Sequence, residues 1–303
     1  MGYDAVQFHD DDAVPNLDDK NAAQIAADAR AMKAMLAEAG LAAEFVAPRL
    51  WENPLTIDGA YTANDPAARA YARDRSHKCL DIAQELGTDF IVLWLAREGT
   101  YLRESKDAVR AVDLLAEAID DMLAYAPSVR IAVEPKPNEP MDIAYLPTIG
   151  HAVAIGYKTR APERVGVLVE SAHAILAGLD PADEMAFGLA YDKLWSVHLN
   201  DQNGLKYDQD RSFGSVNLRR AFDQVLVLDE QRFYERGMVG MDVKAMRTQK
   251  ADVAEAHLEN SLRTFLWLVE RARNLDRAKL QALRDARDYE AIDALILGQL
   301  MGK

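Results

Sequence analysis

Residues 166–173 read GVLVESAH, an apolar run that ends on Glu170, with His173 three positions further on. A run that is apolar throughout, rather than alternating, is the pattern of a strand buried on both faces of a parallel sheet. Glu170 and His173 then fall where a strand hands over to a helix, a spacing that can bring both to one side. The arrangement recurs outward in both directions: AVQF (5–8) leads to His9 and Asp12, IAV (131–133) to Glu134 and Lys136, LWSV (194–197) to His198, and VGM (239–241) to Asp242 and Lys244. One such residue alone would read as a helix cap or a surface carboxylate. Repeated at the ends of successive runs, they point to one metal site, because a parallel barrel places its chemistry at the C-terminal ends of its strands.

Strand-like runs fall near 4–8, 42–46, 89–94, 129–134, 165–169, 194–199 and 237–242, and helical periodicity near 18–39, 66–86, 107–125, 147–157, 173–190, 216–229 and 249–272. The first helical stretch, KNAAQIAADARAMKAMLAEAG (20–40), spaces its apolar residues for one face and closes on Gly40, the residue type favoured past a helix end. Regular alternation of strand and helix implies a parallel sheet with right-handed crossovers. The expected fold is a TIM (β/α)8-type barrel that lacks or rearranges its N-terminal βα unit, since seven strand runs are visible and a closed barrel needs an eighth. A short unrecognised strand or another chain would supply it, unless the gap stays open. The chain divides into a catalytic barrel over 1–272 and a C-terminal helical tail over 273–303. The tail's apolar end, IDALILGQLM (292–301), needs a surface, either its own barrel or a neighbouring subunit reached as an oligomerisation arm.

The net charge of −14 over 303 residues makes nucleic acid an unfavourable partner, because its phosphates would meet repulsion over most of the surface. A metal-dependent nuclease is disfavoured on the same ground. Cys79 is the single cysteine, which excludes an intrachain disulfide or a thiolate cluster and fits a reducing cytoplasm. MGYDAVQFHDDD carries neither a basic nor an apolar leader region, and nowhere do ~18 apolar residues run together, so the expectation is a cytoplasmic protein without a membrane span.

In VEPKPNEP (133–140) prolines flank Lys136, and Glu134 and Lys136 lie two apart in extended chain, so both face one side. A surface ion pair is the plain alternative to a carboxylate and an ammonium sharing a cavity. Glu170, His173 and the two carboxylates of YDQD, Asp208 and Asp210, make a hard-cation site in which the imidazole shifts preference from Mg2+ toward Mn2+ or Co2+. His9 in FHDDD, with Asp12 one turn on, suits general acid/base work, the neighbouring carboxylate being expected to orient the ring and raise its basicity. Trp94 in LWLAREG (93–99) could wall a sugar face or simply pack in the core.

These segments, with GAYTAND (59–65), AG at 177–178, LNDQNGLKYDQD (199–210) and MDVK (241–244), resemble the xylose isomerase family over nearly the whole chain and in the same order. The resemblance implies an aldose–ketose isomerase that uses a two-metal-assisted 1,2-hydride shift on an open-chain sugar. It further implies two divalent cations per chain (Mg2+, Mn2+ or Co2+): one held by Glu134, Glu170, His198 and Asp242, the other by Glu170, His173, Asp208 and Asp210. His9 oriented by Asp12 would assist ring opening, Lys136 would bind the substrate's O1, and Trp51 and Trp94 would wall the pocket. A homodimer or homotetramer is the implied assembly. This chain departs from the family pattern at His198, where xylose isomerases have Asp and rhamnose isomerases a His, and at Trp51 and Ala47, where Phe and Thr are usual. An isomerase of another aldose such as rhamnose, a single-metal ketose 3-epimerase and a non-catalytic sugar- or metal-binding relative are the alternatives.

Overall fold

A computed structural model describes residues 2–302. Its strands are β1 (Ala5–His9), β2 (Ala42–Ala47), β3 (Phe90–Trp94), β4 (Gly99–Thr100), β5 (Arg130–Glu134), β6 (Ile143–Ala144), β7 (Val165–Glu170), β8 (Leu194–His198) and β9 (Met238–Gly240). The helices are α1 (Asp10–Ala13), α2 (Ala22–Glu38), α3 (Pro66–Leu86), α4 (Ala108–Tyr125), α5 (Ile149–Lys158), α6 (Ser171–Leu176), α7 (Pro181–Ala190), α8 (Leu218–Glu230), α9 (Ala256–Arg273), α10 (Arg277–Ala286) and α11 (Tyr289–Met301). Seven strands form one parallel sheet in the order β1-β2-β3-β5-β7-β8-β9, curled into a nearly closed TIM-like barrel. The remaining two, β4 and β6, make a separate antiparallel ladder and do not supply an eighth barrel strand. β1 and β9 are the edges of the sheet, and they meet through a side chain: a Cβ on Gly240 would stand 2.5 Å from Gln7 Nε2.

Two apolar layers hold the barrel. Inside, Phe45, Phe90, Val92, Ala132 and Leu168 pack together with the partly buried Trp195. Outside, between strands and helices, lies the larger cluster, with Leu80, Ile119, Val153 and Phe222 among its buried members. The register pairs Trp94 with Glu134, Glu170 with His198 and His198 with Gly240, so the C-terminal ends of β3 and β5 are level with each other and those of β7, β8 and β9 with one another, while β7 runs two residues beyond the end of β5. That alignment puts the polar residues named above at one mouth of the barrel, as expected for this architecture.

The helical stretch expected over 173–190 is two helices. Gly178 takes φ 74°, and Asp180 caps the N-terminus of α7 by accepting from Ala182 N, with Pro181 in the first turn. The last barrel helix starts at Ala256 rather than near 249. The tail forms α10 and α11, which fold back on the chain itself: Arg219 pairs with Asp293, Gln299 Nε2 donates to Arg271 O at 2.7 Å, and Leu280 and Ile296 are buried. Among the described residues no helix is long and apolar enough to cross a membrane.

At the end of β1 the chain turns into α1 around a buried ion pair. Arg75 donates through Nε and Nη2 to both oxygens of Asp10, at 2.6 and 2.8 Å, and the backbone N–H groups of Asp11 and Arg49 also donate to Asp10. Removing one partner leaves the other charge buried and uncompensated. Asp10→Asn is therefore expected to destabilise the fold by about 3 kcal/mol or more, read from denaturant midpoints at constant m. A loss within experimental error would show that the pair does not anchor this corner.

Asp223 on α8 supplies a pH-dependent counterpart. Burial first, and then Asp180 and Asp183, outweigh Arg219 and push its carboxyl up to about 6. The folded state thus binds the proton more tightly than the unfolded one, and the resulting penalty is absent below the ordinary value of 3.8 and complete above about 6. Asp223→Asn should stabilise the protein at neutral pH by on the order of 1 kcal/mol after solvent screening, with the gain disappearing in acid. A gain that does not change with pH would contradict this origin.

Candidate metal centre

The aligned strand ends bring Glu134, Glu170, His198 and Asp242 together, one possible ligand atom from each lying within 4.8 Å of the others. His198 Nδ1 is 3.5 Å from Glu134 Oε1, 3.9 Å from Glu170 Oε2 and 3.4 Å from Asp242 Oδ2. Beside this group is a second, in which His173 Nε2 stands 3.2 Å from both Glu170 Oε2 and Asp208 Oδ2. Glu170 is common to both. His173 reaches the site because α6 begins directly after β7, so its ring turns back over the strand end.

The charges do not balance without a cation. Burial, and then repulsion from Asp208, Asp242 and Glu134, hold the Glu170 carboxyl well above its usual range. Glu134 is held down to about 2 because His198 and His173 outweigh its burial. The His198 ring, despite burial, is pushed up to about 9 by Glu134 and then Asp242. Imidazolium charge therefore stands in for positive charge that the carboxylates demand. Nδ1 of His173, Nδ1 of His198 and Oδ1 of Asp208 are buried and have no hydrogen-bond partner. Native interiors leave few polar atoms in that condition, so these orphans, set among carboxylates, fit a divalent cation with oxygen and nitrogen ligands.

The other expected site residues divide. Asp210 lies outside both groups: its carboxylate pairs with Lys244 Nζ and accepts from Asn200 Nδ2 at 3.2 Å. Lys136 Nζ donates to Asp208 Oδ2 at 2.9 Å and sits 5.1 Å from the centroid of the Trp94 ring. Trp94 packs edge-on against Trp51 at 4.3 Å between centroids, and Trp51 against His9 at 4.9 Å, so an aromatic wall runs from Lys136 to His9.

His9 differs from expectation in its electrostatics. Its Nδ1 is 3.4 Å from Asp12 Oδ2, but Arg49 Nη2 lies nearer, at 3.1 Å. Burial first and Arg49 second lower the ring's pKa, outweighing Asp12 and Asp10. The expected rise in basicity is thereby overturned, because the carboxylates of FHDDD are already neutralised: Arg49 takes Asp11 and Asp12, and Arg75 takes Asp10.

Sequence reading missed Arg49, Asn200, Gln7 and Glu44. Asn200 donates to Glu170 Oε1 at 2.8 Å and accepts from Ala172 N, tying the bridging carboxylate to the start of α6. Its place in LNDQ, two residues beyond His198, was the available signal. For Arg49 the signal was the acidic triplet opposite, which requires a cation.

A parallel α/β barrel with a buried carboxylate–imidazole cluster at its C-terminal mouth defines the class of protein. The chain belongs to the xylose isomerase-like TIM barrel family, whose model matches residues 1–244. It is 36% identical over 277 residues to the xylose isomerase of Thermus thermophilus, covering 90% of this chain and 70% of that protein. The corresponding figures for the xylose isomerase of Thermus caldophilus are 35% over 276 residues, 90% and 70%. In fold it is similar to a D-tagatose 3-epimerase-like protein (TM-score 0.66, 14% identity, 89% of this chain and 91% of that one). An L-ribulose 3-epimerase gives a TM-score of 0.64 at 14% identity, over 92% and 88% of the two chains.

The neutral nitrogen donor contributed by His198 should make the first group prefer Mn2+ or Co2+ over Mg2+, since imidazole is the softer ligand and carries no charge. Titration of chelator-treated protein with each cation is expected to give that ranking, and His198→Asp to move it toward Mg2+. An unchanged ranking in the variant would place His198 outside the ligand set.

Proposed function

We propose that the chain is an aldose–ketose isomerase that acts on xylose or a related sugar by a 1,2-hydride shift, with cations held by Glu134, Glu170, His198 and Asp242 and by Glu170, His173, Asp208 and Asp210. The observation that carries the reading is a buried carboxylate–imidazole cluster with orphaned polar atoms on His173, His198 and Asp208, joined to the wall of Trp51 and Trp94 by Lys136, which donates to Asp208 and lies 5.1 Å from the Trp94 ring centroid. Divalent cations bound there would polarise the two oxygens of an open-chain sugar.

The chain's own residues do the rest. Trp51 and Trp94 offer an apolar surface to the carbon face of a sugar and exclude water from it. Lys136, buried and fixed by Asp208, holds a charged ammonium beside that wall and can donate to an oxygen on which charge develops. His9, its pKa lowered, is a neutral ring at neutral pH; Arg49, which can only donate, approaches Nδ1 and leaves the ring proton on Nε2, from which it can be given to the ring oxygen of an opening sugar. Including Asp210 among the ligands requires that Lys244 release it. A homodimer or homotetramer is part of the proposal, supported by the exposed apolar side chains of Tyr289, Leu297 and Met301 on the tail.

One observation favours a second reading. Lys136 sits on Asp208 and Lys244 on Asp210, so the second set of carboxylates is partly neutralised by ammonium ions, while among the described residues no lysine or arginine pairs with the first. A single-cation ketose 3-epimerase would need only the first group, with Glu134 and Glu170 exchanging a proton.

Solvent isotope separates the two. Incubation with a panel of aldoses and ketoses in D2O with Mn2+ should give aldose–ketose conversion with little deuterium in the product, because a hydride shift carries the original hydrogen. Extensive deuterium at C3 of a ketose would establish the epimerase instead. Lys136→Met is expected to cost about 10²-fold or more in kcat while binding of the cation and thermal stability stay near wild type. Near wild-type kcat would return Lys136 to a structural ion pair.

A further inference from the structure

β1 and β2 pair irregularly. Val6 faces Ala43 and Phe8 faces Val46, so a single residue of β1, Gln7, stands opposite two of β2, Glu44 and Phe45. A bulge of this kind re-aims a side chain. Phe45 belongs to the barrel interior, and Glu44 is turned inward as well: its Oε1 accepts from Ser196 Oγ at 2.7 Å, although β2 and β8 are not neighbours in the sheet. Ser196 lies on the same face of β8 as His198. Glu44 is thus a buried carboxylate reaching across the barrel beneath the cluster at its mouth.

Its other oxygen, Oε2, accepts from Gln7 Nε2 at 2.8 Å. An ionised carboxylate only accepts, so the amide must present its NH2 to Glu44 and its oxygen the opposite way. That oxygen lies 3.0 Å from His198 Nε2. The close approach of Gly240 backs the Gln7 amide and leaves no room for a side chain there. The orphaned Nδ1 of His198 is the atom that faces Glu134, Glu170 and Asp242.

We infer that Ser196, Glu44 and Gln7 form a relay that fixes His198 as the Nε2–H tautomer and directs Nδ1 to the cation, making Gln7 and Glu44 positioning residues of the metal centre. The inference rests on the cation reading given above. Glu44 orients the ring through Gln7: without a carboxylate or amide oxygen at position 44, the Gln7 amide loses its reason to keep its oxygen toward His198 and can reverse. Partners behind a ligating histidine are typically worth about 10- to 100-fold in metal affinity.

The test uses the full chain, freed of metal by chelator and then loaded with Zn2+ for NMR or titrated with Co2+. Long-range 1H–15N spectra of the Zn2+-loaded protein should show His198 with a proton on Nε2 and metal on Nδ1. Gln7→Met and Glu44→Met should each weaken Co2+ by about 10- to 100-fold, while Glu44→Gln, whose amide oxygen still accepts from Gln7, should keep most of the affinity. Zn2+ on Nε2 with the proton on Nδ1 would overturn the relay even if no variant folds. Co2+ affinity in Gln7→Met and Glu44→Met equal to wild type would do the same. Wild-type protein that binds neither Co2+ nor Zn2+ would defeat the cation reading itself, a result distinct from either.

Discussion

Repulsion among desolvated carboxylates at one mouth of the barrel governs the rest of this molecule. Glu134, Glu170, Asp208 and Asp210 converge where water is largely excluded, with the half-exposed Asp242 at their rim, and each would raise the pKa of the others if nothing intervened. Three cationic groups answer them, His198, Lys136 and Lys244, each in contact with a member of the cluster, and the His173 ring lies among them. The aligned ends of the parallel strands impose this concentration of charge, since a shift of one residue in β5, β7 or β8 would turn Glu134, Glu170 or His198 from the mouth into the layer beneath the helices. Register and electrostatics are therefore one constraint. The buried apolar layers on both faces of the sheet specify the register, and the cluster exists because they do.

The rim of the site follows the same logic in a milder form. FHDDD places three carboxylates in one turn, and the chain supplies Arg75 from α3 and Arg49 from the loop after β2 to neutralise them. Arg49 also lies 5.3 Å from the Trp51 ring centroid, so the group that compensates the acids also supports the aromatic wall. His9 ends between these elements, and its burial, then the charge of Arg49, outweigh the nearest carboxylate in setting its protonation.

What could be read from the sequence followed from how local the cause was. Each of the seven barrel strands was visible because a strand covered on two faces leaves a largely apolar run, whereas the two-residue β4 and β6 leave none, and the residues after each run could be named because their backbone position fixes their place. The break between α6 and α7 was also local, written in Gly178 and the Asp180–Pro181 pair, but the apolar periodicity on either side hid it. Arg49, Lys244 and Asn200 were of another kind. Lys244 could be named at the end of its run, Asn200 lies two residues beyond His198 and the acidic triplet called for a cation, but the partner each takes depends on which loops meet above the barrel. Asp210 shows the same limit: its spacing from Asp208 suggested a shared ligand role, while its pairing with Lys244 depends on the loop that follows β9.

Gln7 and Glu44 were beyond reach for a sharper reason. In a regular strand Glu44 would alternate with Phe45 and face the helices, where an acidic side chain in AAEFVA would look like an edge residue. One extra residue in β2 breaks that alternation and puts both side chains inside. The bulge thus changes the chemistry of the site without changing any residue that touches it. It also explains how β1 and β9, which share no ladder among the described residues, remain in contact. The Gln7 amide, held by Glu44, lies against Gly240 and meets the ring of His198. A hydrogen-bonded side chain joins the sheet edges at the point where the ligand strands finish, so the geometry of the metal centre and the closure of the barrel at that level depend on the same four residues, Gln7, Glu44, His198 and Gly240.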